Sequence, residues 1–224
     1  MPVDLAPFTL SLRVASVATL LNVAIGLPLA YAFARFRFPG KRLASGVVVL
    51  PLVLPPTVLG FALLNVIGRR TPIGGWLEST LGVTLVFHWS GAVLASALAA
   101  FPMFLIPARA AFEGVDPALE DVARLLGRRE GSVFLRVTLP LAWRGIASGT
   151  VLAFARAMGD FGATLMVAGD LPGRTRTASL AIYNAVQTDD YATATWMTLL
   201  IAGVSVAALL VSQRAAPPGR GGAR

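Results

Sequence analysis

Two oppositely charged side chains stand inside an apolar stretch that is long enough to cross a bilayer. Arg156 and Asp160 are four residues apart, which places them on one helix face and within reach of each other. A charge at membrane depth costs about 2.5 to 3.5 kcal/mol, so such residues face the bundle interior and commonly serve a function. The pair fits either a structural ion pair at a subunit interface or the wall of a pathway. Selective anion binding by Arg156 is disfavoured, because Asp160 cancels much of its charge.

A second group of candidate residues combines three prolines with a threonine. Pro51, Pro55 and Pro56 interrupt another apolar stretch, and Thr57 follows them directly. Each proline lacks a backbone N–H donor and, inside a helix, frees the carbonyl one turn earlier. Freed backbone groups are tolerated in a membrane only where protein or a water-filled path satisfies them. The prolines therefore predict a kinked or unwound segment, which forms either a gate or pathway wall or a static kink.

Other residue types with chemical reactivity are scarce. The 224 residues include no cysteine and a single histidine, His88. These counts exclude disulfides, iron–sulfur clusters and cysteine nucleophiles, and they argue against bis-histidine haem. His88 and Trp89 are typical of an anchor at the membrane surface. No Gly-x-x-x-x-Gly-Lys-Ser/Thr motif occurs, so the chain is not expected to bind ATP. We predict no catalytic residue, no metal site and no cofactor.

The elements that hold these residues are predicted to be membrane-spanning helices. The chain is 56% hydrophobic and 13% charged, and its mean hydropathy is +0.73. Backbone groups in lipid must be satisfied within each segment, so long apolar spans are helices. The sequence therefore predicts an all-α polytopic membrane protein with one domain, 1–213. About five spans are expected, at 8–34, 43–67, 84–107, 146–168 and 194–213.

The distribution of positive charge predicts the orientation of these spans. With the N-terminus outside, thirteen of the nineteen Lys and Arg residues face the cytoplasm, four lie outside and two lie within spans. Excess Lys and Arg in the cytoplasmic loops is the usual pattern. This pattern accounts for the net charge of +8 better than nucleic-acid binding does. The tail 214–224 has no apolar periodicity and is predicted to be a disordered cytoplasmic segment.

The connection 108–145 is long and contains a predicted helix at about 117–126. Asp116 suits its N-cap, Pro117 its first position and Gly127 its left-handed end. An apolar stripe at helical spacing runs along this helix and consists of Leu119, Val122, Ala123 and Leu126. The charged residues lie on the other faces of the helix: Glu120, Asp121 and Arg124. Such a stripe packs against the membrane domain, against the lipid surface or in a groove of a cytoplasmic partner.

The wider pattern in this loop resembles the EAA loop of ABC importer permeases. Asp121-Val122-Ala123, three residues, Gly127, nine residues and Val137-Thr138-Leu139-Pro140 keep the spacing of that motif. Asp121 replaces its usual Glu, and Val122 replaces its first Ala. The resemblance implies a type I ABC importer permease fold and a loop that couples to a separate ATPase. The coupling residues that it implies in this loop, 116–140, are Glu120, Asp121, Val122, Ala123, Gly127, Leu139 and Pro140.

Three further stretches, at 51–60, 109–119 and 154–172, resemble the molybdate permease branch of this family. In the third, Asp160 stands where the branch usually has Glu. The resemblance implies a transport subunit, not an enzyme, that moves an oxyanion inward by alternating access. Molybdate is the favoured cargo, and sulfate, tungstate or another oxyanion is the alternative. A stand-alone secondary carrier is an alternative of a different class, which the scarcity of intramembrane acids beyond Asp160 disfavours.

The resemblance also implies partners and a location. We expect a homodimer in the bacterial inner membrane, a cytoplasmic ATPase dimer, an extracytoplasmic oxyanion-binding protein and no nucleic acid. The outer loop 169–193 contains a short amphipathic element at 178–187. Arg174 and Arg176 in this loop would be available to acidic groups of the binding protein. Packing of the loop over the pore mouth is equally compatible with the sequence.

Overall fold

A computed structural model describes residues 4–215, and this part of the chain is helical without strands. The helices are α1 (Ala6–Arg35), α2 (Lys41–Val53), α3 (Pro56–Ile67), α4 (Pro72–Leu81), α5 (Trp89–Glu113), α6 (Pro117–Leu125), α7 (Glu130–Val133), α8 (Leu139–Met158), α9 (Gly162–Ala168), α10 (Ala178–Gln187) and α11 (Tyr191–Ala215). A π-helical segment, Phe134–Thr138, joins α7 to α8.

Within residues 4–215, four helical segments are long and apolar enough to cross a membrane. They are α1, α5, the continuous segment Glu130–Met158, and α11 from Tyr191 to Val211. The pair of α2 and α3 makes a fifth if it is counted as one broken span. This agrees with the expectation of about five membrane helices. Most of the predicted tail, 216–224, lies outside the described residues.

The second predicted span is broken at its prolines, as the sequence predicted. The two halves, α2 and α3, are bent by 118° around Leu54 and Pro55. Pro56 occupies the start of α3, where a missing N–H costs nothing. Pro51 is accommodated inside α2 without ending it.

The fourth predicted span, 146–168, is not continuous. Its first part, α8, ends at Met158, and α9 starts only at Gly162. The sequence does not predict this break, because the residues around it are apolar or small. The new start is stabilised by Asp160, the residue before the N-cap Phe161, whose carboxylate accepts a hydrogen bond from the Thr164 backbone N–H at 3.0 Å. The free N–H groups at the start of a helix favour such an acceptor.

The third predicted span, 84–107, is displaced along the chain. Its helix, α5, begins at Trp89 because the His88 side chain caps it, accepting from the Ser90 N–H at 3.3 Å. The same helix continues through Pro107 to Glu113. The helix thus extends beyond the predicted end of the span at 107, since prolines are tolerated inside membrane helices.

Small residues bring α1 and α8 against α5. Gly145 and Gly149 of α8 are four residues apart and face α5. A Cβ on Gly149 would lie 2.8 Å from the Phe104 carbonyl oxygen, and a Cβ on Gly26 would lie 2.5 Å from the Phe104 ring. Small residues at this spacing allow membrane helices to pack backbone to backbone. The core therefore depends on close helix approach around Phe104.

We expect Gly149→Ala to lower the stability of the protein. The added methyl group would meet a backbone oxygen, which cannot rotate away, and overpacking of this kind costs roughly 1 to 3 kcal/mol. The matched control is Gly203→Ala in α11, where an added Cβ meets nothing within 4 Å. The control should be neutral or stabilising, because alanine favours a helix interior. Reversible unfolding in detergent measures both, and equal effects would contradict the packing described.

Candidate functional site

The loop helix α6 forms close to the residues that the sequence predicted. The Asp116 carboxylate caps its start by accepting from the Ala118 N–H at 2.9 Å. Gly127 follows its end with φ +78°, a backbone conformation that favours glycine. Its neighbour Arg128 donates its N–H to the Ala123 carbonyl at 3.1 Å, which closes the helix end. The predicted caps of α6 are therefore confirmed.

The apolar face of α6 is exposed. Leu125 is 87% exposed and Leu126 is 77% exposed, while Leu119 and Val122 are about half exposed, at 49% and 54%. Within the described residues, this face does not pack against the membrane domain, which was one of the three possibilities. A contiguous apolar surface rimmed by charged residues is typical of a docking site.

The acidic residue Glu120 faces in the opposite direction, into the protein. Its side chain is only 4% exposed. One carboxylate oxygen, Oε1, accepts hydrogen bonds from Arg35 Nη2 at 2.7 Å and from Thr138 Oγ1 at 2.8 Å. Arg35 also donates to the Val115 carbonyl at 3.2 Å. Glu120 therefore ties α6 to the end of α1 and to the π-helical segment before α8.

The outer side of this cluster is held by Arg124. Its guanidinium pairs with Asp121 at 2.7 Å and with Glu130 at 2.8 Å. Hydrogen bonds to Glu130 and Asp121 raise the pKa of Arg124 above its usual range. Asp121 stays mostly exposed, so it borders the apolar face of α6.

The helix that re-enters the membrane is continuous with the loop. The π-helical segment leads directly into α8, whose first residues are Leu139 and Pro140. Pro140 directly follows the π-helical segment inside this continuous helical stretch, and its missing N–H leaves one backbone hydrogen bond of the helix unmade. A displacement of α6 through Thr138 would therefore reach α8 without crossing a flexible linker.

At the end of α8, Arg156 and Asp160 form the ion pair that their spacing predicted. Arg156 Nη1 lies 3.3 Å from Asp160 Oδ1. The second carboxylate oxygen of Asp160 accepts from the Thr164 hydroxyl at 2.6 Å, and that hydroxyl lies 3.3 Å from Ser96 Oγ. Asp160 is buried, whereas the Arg156 side chain is 29% exposed. Asp160 thus stabilises the start of α9, whereas the side chain of Arg156 reaches the surface.

The two helix breaks meet in space. A Cβ on Gly162 would lie 2.9 Å from Pro56 Cβ and 3.4 Å from the Thr57 backbone nitrogen. Pro55, Pro56 and Thr57 are exposed on the surface of the protomer, and so is Gly159 beside the second break. Non-helical backbone at membrane depth must face protein or water. This surface is therefore not suited to lipid. Pro51 lies one turn before the break, within α2.

Arg174 and Arg176, the two arginines of the loop between α9 and α10, differ in their availability. Arg176 forms a two-bond contact with Asp170, at 2.7 Å and 3.0 Å, and also donates to the Asn184 side-chain oxygen at 3.1 Å. Asp170 therefore already offsets the charge of Arg176 within the loop, and contact of Arg176 with a partner stays a prediction. Arg174 is exposed and makes no ion pair in the described chain. Both line a cavity of about 520 Å³ with Arg13, His88 and Trp89.

Sequence reasoning missed Arg35 and Thr138 as members of the site. Arg35 is 85 residues away from Glu120, so no local pattern joins them. The one available signal was Glu120, an acidic residue beside an apolar stripe on a short helix. Such an acid requires a partner if its own face of the helix turns inward.

Comparison with known proteins places this arrangement in a family. Residues 23–218 match the family described as binding-protein-dependent transport system inner membrane component. The molybdenum transport system permease protein ModB of Escherichia coli K12 is 49% identical over 179 residues, covering 80% of this chain and 78% of that protein. ModB of Haemophilus influenzae is 42% identical over 185 residues, covering 83% of this chain and 81% of the relative.

Solved structures resemble the fold. A bacterial ABC transporter involved in the import of alginate aligns with a TM-score of 0.71 at 18% identity, over 96% of this chain and 78% of that chain. The inward-facing MetNI methionine ABC transporter aligns with a TM-score of 0.69 at 15% identity, over 96% and 97% of the two chains. The chain has the fold of ABC importer permeases and belongs to the family of binding-protein-dependent transport system inner membrane components.

Proposed function

We propose that this chain is the membrane permease of an ATP-driven importer and that its cargo is molybdate. The relatives that cover most of the chain are named as molybdenum transport permeases, which favours molybdate over sulfate or another oxyanion. The family also favours an ATP-driven importer over a stand-alone carrier. We further propose a homodimer with no role in nucleic-acid binding, with the N-terminus outside and the C-terminus in the cytoplasm.

The observation that carries the coupling proposal is the orientation of α6. Its apolar face, built around Val122 and Leu125, is exposed, while Glu120 fastens the opposite face to α1 and α8. This arrangement suits a helix that docks in a groove of an ATPase subunit. Asp121, Ala123 and Gly127 belong to the proposed docking surface or its border, together with the exposed leucines Leu119, Leu125 and Leu126.

Transmission to the membrane region would follow the contacts of Glu120. A pull on α6 acts through the buried carboxylate on Arg35 of α1 and on Thr138 just before α8. Both contacts are direct and short, and buried charge pairs resist separation. Leu139 and Pro140 then carry the displacement into α8, so that α1 and α8 move together with the coupling helix.

The proposed pathway runs along the surface where the two helix breaks meet. Pro55, Pro56 and Thr57 border it, with Pro51 one turn away. We place the second copy of the chain opposite this surface, so that two copies enclose a water-filled path. Arg156 reaches the surface, yet its partner Asp160 offsets its charge. A weak attraction suits an anion that must leave as easily as it enters.

On the outer side, Arg174 is the stronger candidate for contact with a solute-binding protein. It is exposed, whereas Arg176 is bound to Asp170 and serves to hold the loop between α9 and α10. The loop thus presents one accessible positive charge above the membrane. Charge complementarity of this kind affects the rate of encounter more than the final affinity.

Substitution of Val122 tests the docking face. We expect Val122→Asp to weaken binding of the ATPase subunit by about 30-fold, equivalent to about 2 kcal/mol, because a charge would enter an apolar groove. Val122 is 54% exposed, so the permease should still fold. The control is Val186→Asp, which makes the same change on α10, outside the coupling loop, at a position that is 44% exposed. Retention of the ATPase on purification measures both, and loss in neither variant would rule out docking through α6.

Substitution of Glu120 tests the anchor separately from the docking face. Glu120→Gln removes the charge and leaves Arg35 buried without an ionic partner, which should lower stability by roughly 3 to 5 kcal/mol. Binding-protein stimulation of ATP hydrolysis should also fall, while the ATPase still co-purifies. The control is Glu130→Gln, because Glu130 pairs with Arg124 at an exposed position and should matter little. Thermal unfolding and stimulated hydrolysis distinguish the two variants, and similar behaviour would remove Glu120 from the coupling route.

The cargo is tested by transport into proteoliposomes that contain the permease and its ATPase. Binding protein loaded with molybdate should stimulate ATP hydrolysis and oxyanion uptake, and sulfate-loaded protein should not. Tungstate is the stringent comparison, since residues 4–215 form no recognisable site that measures anion size. A preference for sulfate would replace molybdate as the cargo while leaving the importer assignment intact, whereas uptake without ATP would contradict the importer itself.

A further inference from the structure

A basic cavity lies where α1 turns into α2, away from the coupling helix and the helix breaks. Its volume is about 800 Å³. Its lining comes from the turn, the start of α2 and the last part of α5, and consists of Arg37, Phe38, Gly40, Lys41, Arg42, Ser45 and Arg109. Four of these residues are cationic and none is acidic. The cavity therefore has the character of an anion site.

Most of this positive charge has no acidic partner. Arg109 pairs with Glu113 at 2.8 Å. Lys41 donates only to a backbone carbonyl, at 3.1 Å. In the part of the chain that the structure describes, no carboxylate lies within the 4.0 Å limit of an ion pair from Arg37, Lys41 or Arg42. Uncompensated cations that converge on one cavity favour an anionic ligand.

The local backbone adds to this potential. Gly40, with φ +80°, reverses the chain between Arg37 and Arg42 and brings both into the same cavity lining. Gly40 is also the N-cap of α2, and it offers no side chain to the first N–H groups of that helix. Those groups add a partial positive charge at the same place.

The surface next to the cavity is apolar and exposed. Leu43, Val47 and Leu50 recur at helical spacing along α2 and are 74%, 56% and 46% exposed. Helix α2 has no buried residue at all. Phe36 and Phe38 flank the turn and are exposed as well. A soluble anion would use only the cavity, whereas an amphiphile would use the cavity and this stripe together.

We propose that the cavity binds the phosphate headgroup of an anionic glycerophospholipid whose acyl chains lie along Leu43, Val47 and Leu50. Basic pockets between membrane helices at one membrane surface are typical sites for such headgroups. A bound headgroup would bridge α2 to Arg109 of α5, which already donates to Ser45 of α2 at 3.3 Å. The bridge lies just before the segment that leads from α5 into α6, so the lipid would stiffen the base of the coupling loop.

The test is a titration of the detergent-purified permease, full length and bound to its ATPase, with lipids followed by native mass spectrometry. The probes are phosphatidylglycerol, phosphatidylcholine with the same acyl chains, and inorganic phosphate. We expect phosphatidylglycerol to bind at least tenfold more tightly than phosphatidylcholine. The variant Arg37→Gln/Arg42→Gln should weaken it by roughly fivefold for each removed charge. Arg37→Lys/Arg42→Lys should retain most of the binding.

The matched control is Arg69→Gln/Arg70→Gln, which removes the same charge between α3 and α4 and should leave phosphatidylglycerol binding unchanged. If the double variant at Arg37 and Arg42 does not fold, Lys41→Gln alone should still give about a fivefold loss. Equal affinity for the two lipids, equal loss in the control, or competition by inorganic phosphate at the concentration of the lipid would each overturn the proposal. The readout needs no transport, so its failure is distinct from failure of the importer assignment.

Discussion

Inside a membrane, every backbone polar group must find a partner. This requirement determines where the chain can depart from a helix. Two departures occur within its apolar segments, at Leu54–Pro55 and at Gly159–Phe161. Each is made possible by local chemistry: prolines that need no acceptor at the first, and the Asp160 carboxylate that stabilises the start of α9 at the second. Both breaks pack on each other at Gly162, so one constraint accounts for their adjacency and for the irregular surface that results.

In most surface helices the leucines are buried and the charged residues are exposed. The loop helix α6 differs, because its acid is buried and its leucines are exposed. Burial of Glu120 is stable only because Arg35 and Thr138 both donate to it at short distance. Exposure of Leu125 and Leu126 has no compensation within the described chain. The inner face of such a helix makes its contacts within the chain, whereas its apolar outer face has no contact there. The chain therefore specifies where α6 is attached, and its exposed leucines mark the face on which we propose that a partner docks.

The sequence predicts local features well and relations between distant residues poorly. Asp116, Pro117 and Gly127 identify the ends of α6 because capping depends on neighbours in the chain. The prolines at 51–56 likewise predict the first break. The break after Met158 was missed because the start of α9 is stabilised by a single Asp whose spacing suggested only a pair with Arg156. Pairing of Arg35 with Glu120, and of Arg176 with Asp170, depends on how helices and loops assemble, which no periodicity expresses.

The positions of the breaks also determine how motion could spread from the loop. Helix α8 is attached to α6 at its base through Thr138 and touches α5 by backbone at Gly149. Its upper end is separated from α9 by non-helical residues. A tilt of α8 about its contact with α5 therefore need not carry α9 along, and α9 can stay packed on α3. If α8 and α9 formed one straight helix, any movement at the base would have to break the contact between Gly162 and Pro56. The interruption at Gly159–Phe161 would thus allow the half of the bundle next to the coupling loop to move while the surface around the prolines keeps its packing.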